Sequence, residues 1–516
     1  MSAEEPKPLA LKALSNTLYS VVAYVWPMVF SILVTPIIVL KLGVGQYGLF
    51  VFITTVSGLL SLVSSGVNVY GGRTITQYHA QGNKEGIQKL VKTSNLIYLL
   101  IALAGVAFIL GGFLLGSRVV PRSFSFSYAE LLIFFSIAAA NFFIQTSTSL
   151  FQLVPSALQR FDINSGFSIV NLTAGSVGNL VLVLCGFGIE ALLLYQCALG
   201  IAMAVVALFI SERLLPEASY RLGFDRHEFK KCLKLAGASS FNEFARTSLI
   251  SLDRLLIPIF VGVSQLTYYT LPGNVSARIP GTADAFTGII FPTATSLHSA
   301  GHMERLKSLY VRSSRLIMTV SLAIGITIII YARLILRYWL NADFADHSTH
   351  VLIVLALTNL ILSFLSPLAS FFIGMNKIRF NTSLSFSMAI LNIVALAALL
   401  PKWGIMGAAW AYFISVLPIF FAIYVIEKKY LDLHGRAQYY FVFVAKHALV
   451  GAVMYALAVF AFAPLIGSFV TLAVLGPLAV VAYFALYASL GFLEKDDARD
   501  LKAFVRAAAK RLHIYS

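Results

Sequence analysis

Long apolar runs, broken by short polar or glycine-containing segments, recur from one end of the chain to the other. Each is long enough for a helix to cross a hydrocarbon core of about 30 Å. They predict spans near 15–40, 47–69, 94–115, 128–153, 163–185, 189–211, 235–261, 265–297, 314–336, 348–373, 380–400, 405–426, 440–463 and 467–490. Charged links at 212–234 and 427–439 divide these into six, six and two. On the opposite face the longest connections, Gly116–Ser127 and Arg337–His347, are too short for a separate domain. The first span exceeds a signal-peptide core and no small-residue cleavage site follows it, so it is expected to stay as a span. The pattern predicts an all-α polytopic membrane protein of about 14 transmembrane helices. The organisation it implies is a tail 1–14, an N-lobe 15–211, a link 212–234, a C-lobe 235–426, a link 427–439, two further spans in 440–490, and a tail 491–516.

An internal repeat supports two lobes. "LGVGQYGLF" (Leu42–Phe50) resembles "VGVSQLTYY" (Val261–Tyr269), setting Gly43 on Gly262, Gln46 on Gln265 and Phe50 on Tyr269. "GFGIEALLLY" (Gly186–Tyr195) resembles "KWGIMGAAWA" (Lys402–Ala411) at nearly the same offset, setting Gly188-Ile189 on Gly404-Ile405. An even number of spans lies between the copies, so the lobes are expected to be parallel repeats about an axis along the membrane normal.

Composition agrees with this class and charge adds a direction. Hydrophobic residues make up 59% of 516 positions and charged residues 12%, too little polar surface for soluble domains of this size. The net charge of +16 could point to nucleic acid, but the basic residues concentrate on one set of loops. Arg73, Lys84, Lys89 and Lys92, the 212–234 link, and the tail from Lys495 to Arg511 all fall on the cytoplasmic side if the N-terminus is cytoplasmic. That bias is the positive-inside rule, so the charge reports topology and no nucleic-acid partner is expected. The tail Glu494–His513 places Leu501, Phe504, Val505, Ala508 and Leu512 at helical spacing, as an amphipathic helix on the anionic inner leaflet would. Cys185, Cys197 and Cys232 lack metal-ligand spacing and read as inert core residues; no metal site and no cofactor are expected.

Two predicted spans carry charge where charge is expensive. In "EFARTSLISLDRLLIPIFVG" (Glu243–Gly262), at about 100° per residue from Glu243, Arg246 falls near −60°, Asp253 near −80° and Arg254 near +20°. The four share one side, interrupted by Ile250 and Ile257, and such a stripe should face protein or a water-filled cavity. Pro258 cannot bond the carbonyl of Arg254, so a kink is expected there. In the next span Pro272-Gly273 and Pro280-Gly281 are expected to break the helix twice, with Asn274, Ser276, Arg278 and Asp284 making its middle polar. Internal pairing, with Glu243 three residues from Arg246, and a substrate or ion site both fit these residues. Arg73 reads as a topology anchor, and Gln145, Gln152, Asn171 and Asn179 as interhelical hydrogen-bonding groups. No Walker motif and no catalytic constellation are present.

The run "SLDRLLIPIFVGVSQLTYYTLPGNVSARIPGTADAFTGIIFPTATSLH", with Asp253-Arg254, Gly262, Tyr268-Tyr269, Pro292 and Ser296, resembles the seventh and eighth spans of the polysaccharide transporter (Wzx-type flippase) family. That family belongs to the multidrug/oligosaccharidyl-lipid/polysaccharide exporter (MOP) superfamily. "LGVGQYGLFVFITTVSGLLSLVSSGVNVYGGRTI", with Tyr47-Gly48, Gly66 and Arg73, resembles its first turn and second span. The resemblance implies two six-helix lobes around a V-shaped central cavity, and a non-enzymatic flippase in the bacterial cytoplasmic membrane with both termini cytoplasmic. The implied substrate is an undecaprenyl-pyrophosphate-linked oligosaccharide, moved from inner to outer leaflet by alternating access for O-antigen, capsule or exopolysaccharide synthesis. Arg246, Arg254 and Arg278 would take the pyrophosphate, and Glu243, Asp253 and Asp284 would hold those arginines or carry a coupling ion. Pro258, Pro272, Pro280 and Asn274 would line the cavity or bend its helices. H+, Na+ and the membrane potential are the candidate driving forces; membrane lipids, a polysaccharide polymerase and a chain-length regulator are the implied partners. A peptidoglycan-precursor (lipid II) flippase and a cation-coupled multidrug antiporter of the same superfamily are the alternatives. The antiporter wants a mid-span acid in the first six spans, where Glu130 and Glu190 lie only near outer ends.

Overall fold

A computed structural model describes residues 30–116, 126–462 and 465–492. The start of the first predicted span and the amphipathic tail lie outside these residues. So do the side chains of Glu243, Arg246 and Asp284, although their backbones are helical. The described secondary structure is helical throughout. The chain clusters into two compact units, residues Met1–Thr267 and Tyr268–Ser516.

The first unit contains α1 (Phe30–Leu42), α2 (Val44–Leu60), α3 (Leu62–Ala80), α4 (Lys84–Gly116), α5 (Tyr128–Ser147), α6 (Ser149–Ala157), α7 (Phe161–Leu184), α8 (Ile189–Leu214) and α9 (Arg226–Phe260). α9, whose apolar part the sequence pattern counts as the seventh span, packs here on α2 and α3. The second unit takes most of α10 (Val263–Ser276), then α11 (Arg278–Ser299), α12 (Met303–Ile330), α13 (Ala332–Trp339), α14 (Ala342–Leu362), α15 (Leu365–Gly374), α16 (Ile378–Val416), α17 (Pro418–Val425), α18 (Arg436–Leu457) and α19 (Phe469–Ser489). In it α11 packs on α12 and α15, and α14 on α12, α13 and α16.

Among the described residues nine helical stretches are long and apolar enough to cross a membrane, ten if the pair α2–α3, bent by 42°, counts as one. The bend lies at Ser61, where Ser61 Oγ donates to the Gly58 carbonyl at 2.6 Å and Ser64 Oγ to the Ser61 carbonyl at 2.6 Å. Such back-bonding competes with the helix ladder and bends it. α16 is two helices joined at Gly404, whose φ of 57° and ψ of −139° only glycine adopts without strain. α9 and the pair α10–α11, the two stretches with intramembrane charge in the sequence, do not meet the apolar criterion. The outer faces carry the apolar side chains expected against lipid: Phe108, Phe209, Phe441 and Phe460 are all exposed.

Of the two glycine pairs that the repeat aligns, Gly188 (φ −89°) and Gly404 (φ 57°) differ in conformation, whereas the other pair shares one backbone role. Gly43 (φ 82°) separates α1 from α2, and Gly262 (φ 116°) lies between α9 and α10. Both positions require a positive φ to end one helix and start the next, which glycine provides without a Cβ clash.

The prolines behave differently from expectation. α10 runs unbroken through Pro272, and Pro280 sits in the first turn of α11, where no backbone donor is needed. The one break lies between them at Ala277, which keeps right-handed helical angles. Pro272 survives inside the helix because the carbonyl it cannot bond, that of Tyr268, accepts from Ser348 Oγ on α14 at 2.9 Å. The first unit repeats the device. Pro155 leaves the Phe151 carbonyl without its helical donor, and Ser211 Oγ on α8 supplies one at 2.6 Å. Both serines are fully buried. α9 stays helical through Pro258 to Phe260, as a proline-kinked helix also does.

Candidate functional site

α9, which carries the charged stripe, begins at a well-made helix start. Asp225 caps the helix, accepting the backbone N–H of His227 and of Glu228 at 2.9 Å each. Glu228 is thereby held in the core, where the Tyr70 and Tyr78 hydroxyls of α3 donate to its carboxylate at 2.5 and 2.8 Å. Further along, Asp253 is 5% exposed and, with Ile257 one turn later at 0%, marks the face that packs into the unit. Its Oδ1 accepts the Arg254 backbone N–H at 2.7 Å. Arg254 is half-buried. The inward orientation expected of the stripe therefore holds at Asp253.

In the second unit Pro272, Asn274, Arg278 and Pro280 lie on consecutive turns of α10 and α11. Asn274, Arg278 and Pro280 are partly buried and Pro272 is buried. Ser276 is fully buried and accepts from Asn359 Nδ2 of α14 at 3.0 Å, which spends part of this span's polarity on helix packing. Arg278 has no ion pair or hydrogen bond to a described residue. Arg254 and Asp253 thus belong to one unit, and Arg278 to the other.

Two features escaped the sequence. Arg315 on α12 is only 8% exposed, a buried cation that the span boundaries place at a helix end. The second is an open cavity of about 430 Å³ in the first unit, lined by residues of α5, α6, α7 and α8 with Ser61. Gln145, Gln152, Asn171 and Asn179, assigned from sequence to interhelical bonding, all line it, as does Gln196. Gln145 Nε2 bonds within its own helix, to Asn141 Oδ1 at 3.1 Å, and Asn141 Nδ2 reaches Gln196 Oε1 across to α8 at 3.4 Å. Asn179 and Thr146 also line it, while Asn179 Oδ1 and Thr146 Oγ1 themselves are buried behind the wall without a hydrogen-bond partner.

A second buried carboxylate closes the other charged link. Glu427, in a short π-helical turn (Ile426–Tyr430), accepts from the Tyr440 hydroxyl and faces Arg436 Nε at 3.6 Å. Arg436 lies over the rings of Tyr439 and Tyr440, 4.6 and 5.4 Å from their centroids. The buried Tyr310 hydroxyl of α12 stands beside the same carboxylate. The cysteines are all free; Cys232 is buried, but Cys185 at the end of α7 is exposed rather than part of a core.

Comparison with known proteins places this arrangement. The family described as "Polysaccharide biosynthesis protein" matches residues 42–349. The uncharacterized membrane protein EpsK of Bacillus subtilis (strain 168) is 24% identical over 316 residues, 59% of this chain and 61% of that protein. The chain thus matches less than two thirds of that curated relative's length. Among solved structures, the lipid II flippase MurJ in its inward closed conformation aligns with a TM-score of 0.71 at 11% identity, over 92% of this chain and 99% of that one. An inward-facing multidrug resistance MATE family transporter of the MOP superfamily aligns with a TM-score of 0.59 at 16% identity, over 78% and 96%. At these identities the likeness is one of fold. The family match covers more than half of the chain, α9 to α11 included, and the chain therefore belongs to the polysaccharide biosynthesis protein family, a multi-pass membrane protein built on the fold of the MOP superfamily of transporters.

Proposed function

We propose that the protein is a flippase that carries undecaprenyl-pyrophosphate-linked oligosaccharide units from the inner to the outer leaflet of the bacterial cytoplasmic membrane. It works by alternating access and feeds cell-surface polysaccharide synthesis, with a polymerase and a chain-length regulator as downstream partners. The observation that carries this reading is the family match across α9–α11, the helices on which the intramembrane arginines lie. Both termini are cytoplasmic in this reading, which the distribution of Lys and Arg supports.

Arg246, Arg254 and Arg278 each meet the pyrophosphate during the cycle, since a guanidinium gives bidentate, charge-assisted hydrogen bonds to phosphate oxygens. Glu243, Asp253 and Asp284 balance those charges when substrate is absent. Two negative charges moving outward across an inside-negative potential of about 100 mV gain roughly 4–5 kcal/mol, enough to bias transport without ATP. A proton or sodium gradient would add to this through the same acids.

The test is leaflet-resolved. Loss of the protein should leave lipid-linked sugar units on the cytoplasmic side; units found unpolymerised on the outer side would instead indicate a polymerase. Arg254→Gln with Arg278→Gln should block export while the protein stays in the membrane, and full export by that pair sinks the residue assignment. The likeness of fold to a lipid II flippase supports one second reading. Rescue of a strain lacking its lipid II flippase would establish that reading in place of the first.

A further inference from the structure

The cavity among α5–α8 has a chemistry unlike the charged stripe. Among the described residues no Asp, Glu, Lys, Arg or His lines it. An ion placed there would be uncompensated at membrane depth, so neither the pyrophosphate nor a cationic solute fits. What lines it is a ring of side-chain amides: Gln145, Gln152, Asn171, Asn179 and Gln196. Each amide offers both donors and an acceptor, the combination that matches hydroxyl groups, which also do both. Phe142, Leu172 and Met203 add apolar wall against which the C–H face of a sugar ring can lie. The volume of about 430 Å³ falls in the range of small-ligand sites, roughly 300–1,000 Å³.

A second observation bears on an occupant. The amides of Gln145, Gln152 and Asn171 stand exposed on the cavity wall, where their donors and acceptors can meet a ligand. Amides that served only to tie helices together would be spent on one another. Here, among the described residues, Asn141 and Gln196 make such a tie, while Gln145 bonds within its own helix.

We propose that this cavity binds an uncharged, hydroxyl-rich group, a sugar residue of the transported unit, and so contributes to the choice of sugar. The proposal rests on the flippase reading and assigns the glycan a site inside the first unit, apart from the arginines assigned to the pyrophosphate.

The experiment measures binding of two probes to the full-length protein in nanodiscs: undecaprenyl pyrophosphate carrying the host's oligosaccharide, and bare undecaprenyl pyrophosphate. Wild type should prefer the sugar-bearing lipid by about tenfold or more, the worth of one or two hydrogen bonds. Asn171→Leu and Asn179→Leu should bring the two affinities together while leaving the bare lipid's unchanged. Gly175→Leu provides an independent variant, because a Cβ there makes only ordinary contact with Leu199, at 3.7 Å, and the longer side chain fills the cavity. Asn171 is exposed on the cavity wall and its loss leaves the helix packing intact, which guards against a folding artefact. A wild-type preference that survives all three substitutions, as a merely water-filled cavity would give, overturns the proposal but not the flippase reading. Equal binding of both lipids by wild type also overturns it. If wild type binds neither lipid, the flippase reading falls and takes the proposal with it.

Discussion

Glu228 and Glu427 are both buried carboxylates in or beside a charged link, and both are held by tyrosine hydroxyls. They differ in what balances the charge. Glu427 has a buried cation, Arg436, 14% exposed and stacked on two tyrosine rings. Glu228 has two hydroxyl donors from α3, while its nearest cation, Lys231 at 3.7 Å, is 45% exposed. The second unit closes its link with an ion pair drawn from residues close in sequence. The first uses hydrogen bonds that reach back some 150 residues, 158 from Tyr70 and 150 from Tyr78. One knot fails if a charge is lost, the other if a hydroxyl is lost.

Five measurements would break or sharpen this contrast. Arg436→Met strands a buried carboxylate and should cost about 3–5 kcal/mol of stability, read from the unfolding midpoint in mixed micelles. Adding Glu427→Gln should recover much of that loss, and a double variant no better than the single would argue against an ion-pair role. Tyr70→Phe removes one donor to a buried carboxylate and should cost about 1.5–3 kcal/mol in the same assay. Lys231→Met should cost less than about 1 kcal/mol, because an exposed pair is screened by water and salt; a loss equal to that of Arg436→Met would erase the distinction. The smallest effect concerns acid. The Glu228 backbone N–H holds the Asp225 carboxyl below its ordinary value of 3.8. Its capping contribution is therefore complete above that value and is lost as the pH falls below it through the depressed folded-state value. Asp225→Ser, a neutral cap, should flatten that part of the acid-unfolding profile.

Much of the fold was legible because a membrane span announces itself. Each needs about 20 apolar residues, and the described spans fall on helices or helix pairs where the pattern put them. The turn glycines Gly43 and Gly262 were legible too, since a backbone requirement repeats with the residue that meets it. The proline breaks were misread because the remedy is not local. Nothing near Pro272 says that Ser348 will take the Tyr268 carbonyl, and the same is true of Pro155 and Ser211. The stripe of α9 could be drawn from helical period alone, and Asp253 faces inward as drawn. The amide cavity could not. Its glutamines and asparagines come from several helices, each looks like ordinary interhelical glue, and only packing brings them around one space. Arg315 was missed for a smaller reason, a span boundary drawn one residue before it, where a cation reads as an anchor.

The serine at Pro272 also sets the mechanical character of α10. A helix resists flexing because curvature stretches the rungs of its own ladder, but at Pro272 one rung is missing from the start. The Tyr268 carbonyl is moored sideways to α14 instead, so the local curvature of α10 is governed by where its neighbour stands. Releasing that mooring gives up one hydrogen bond, about 1 kcal/mol, which corresponds to roughly a fivefold change in population. α10 is therefore a spring with one soft coil, its stiffness there held by a single serine hydroxyl on another helix.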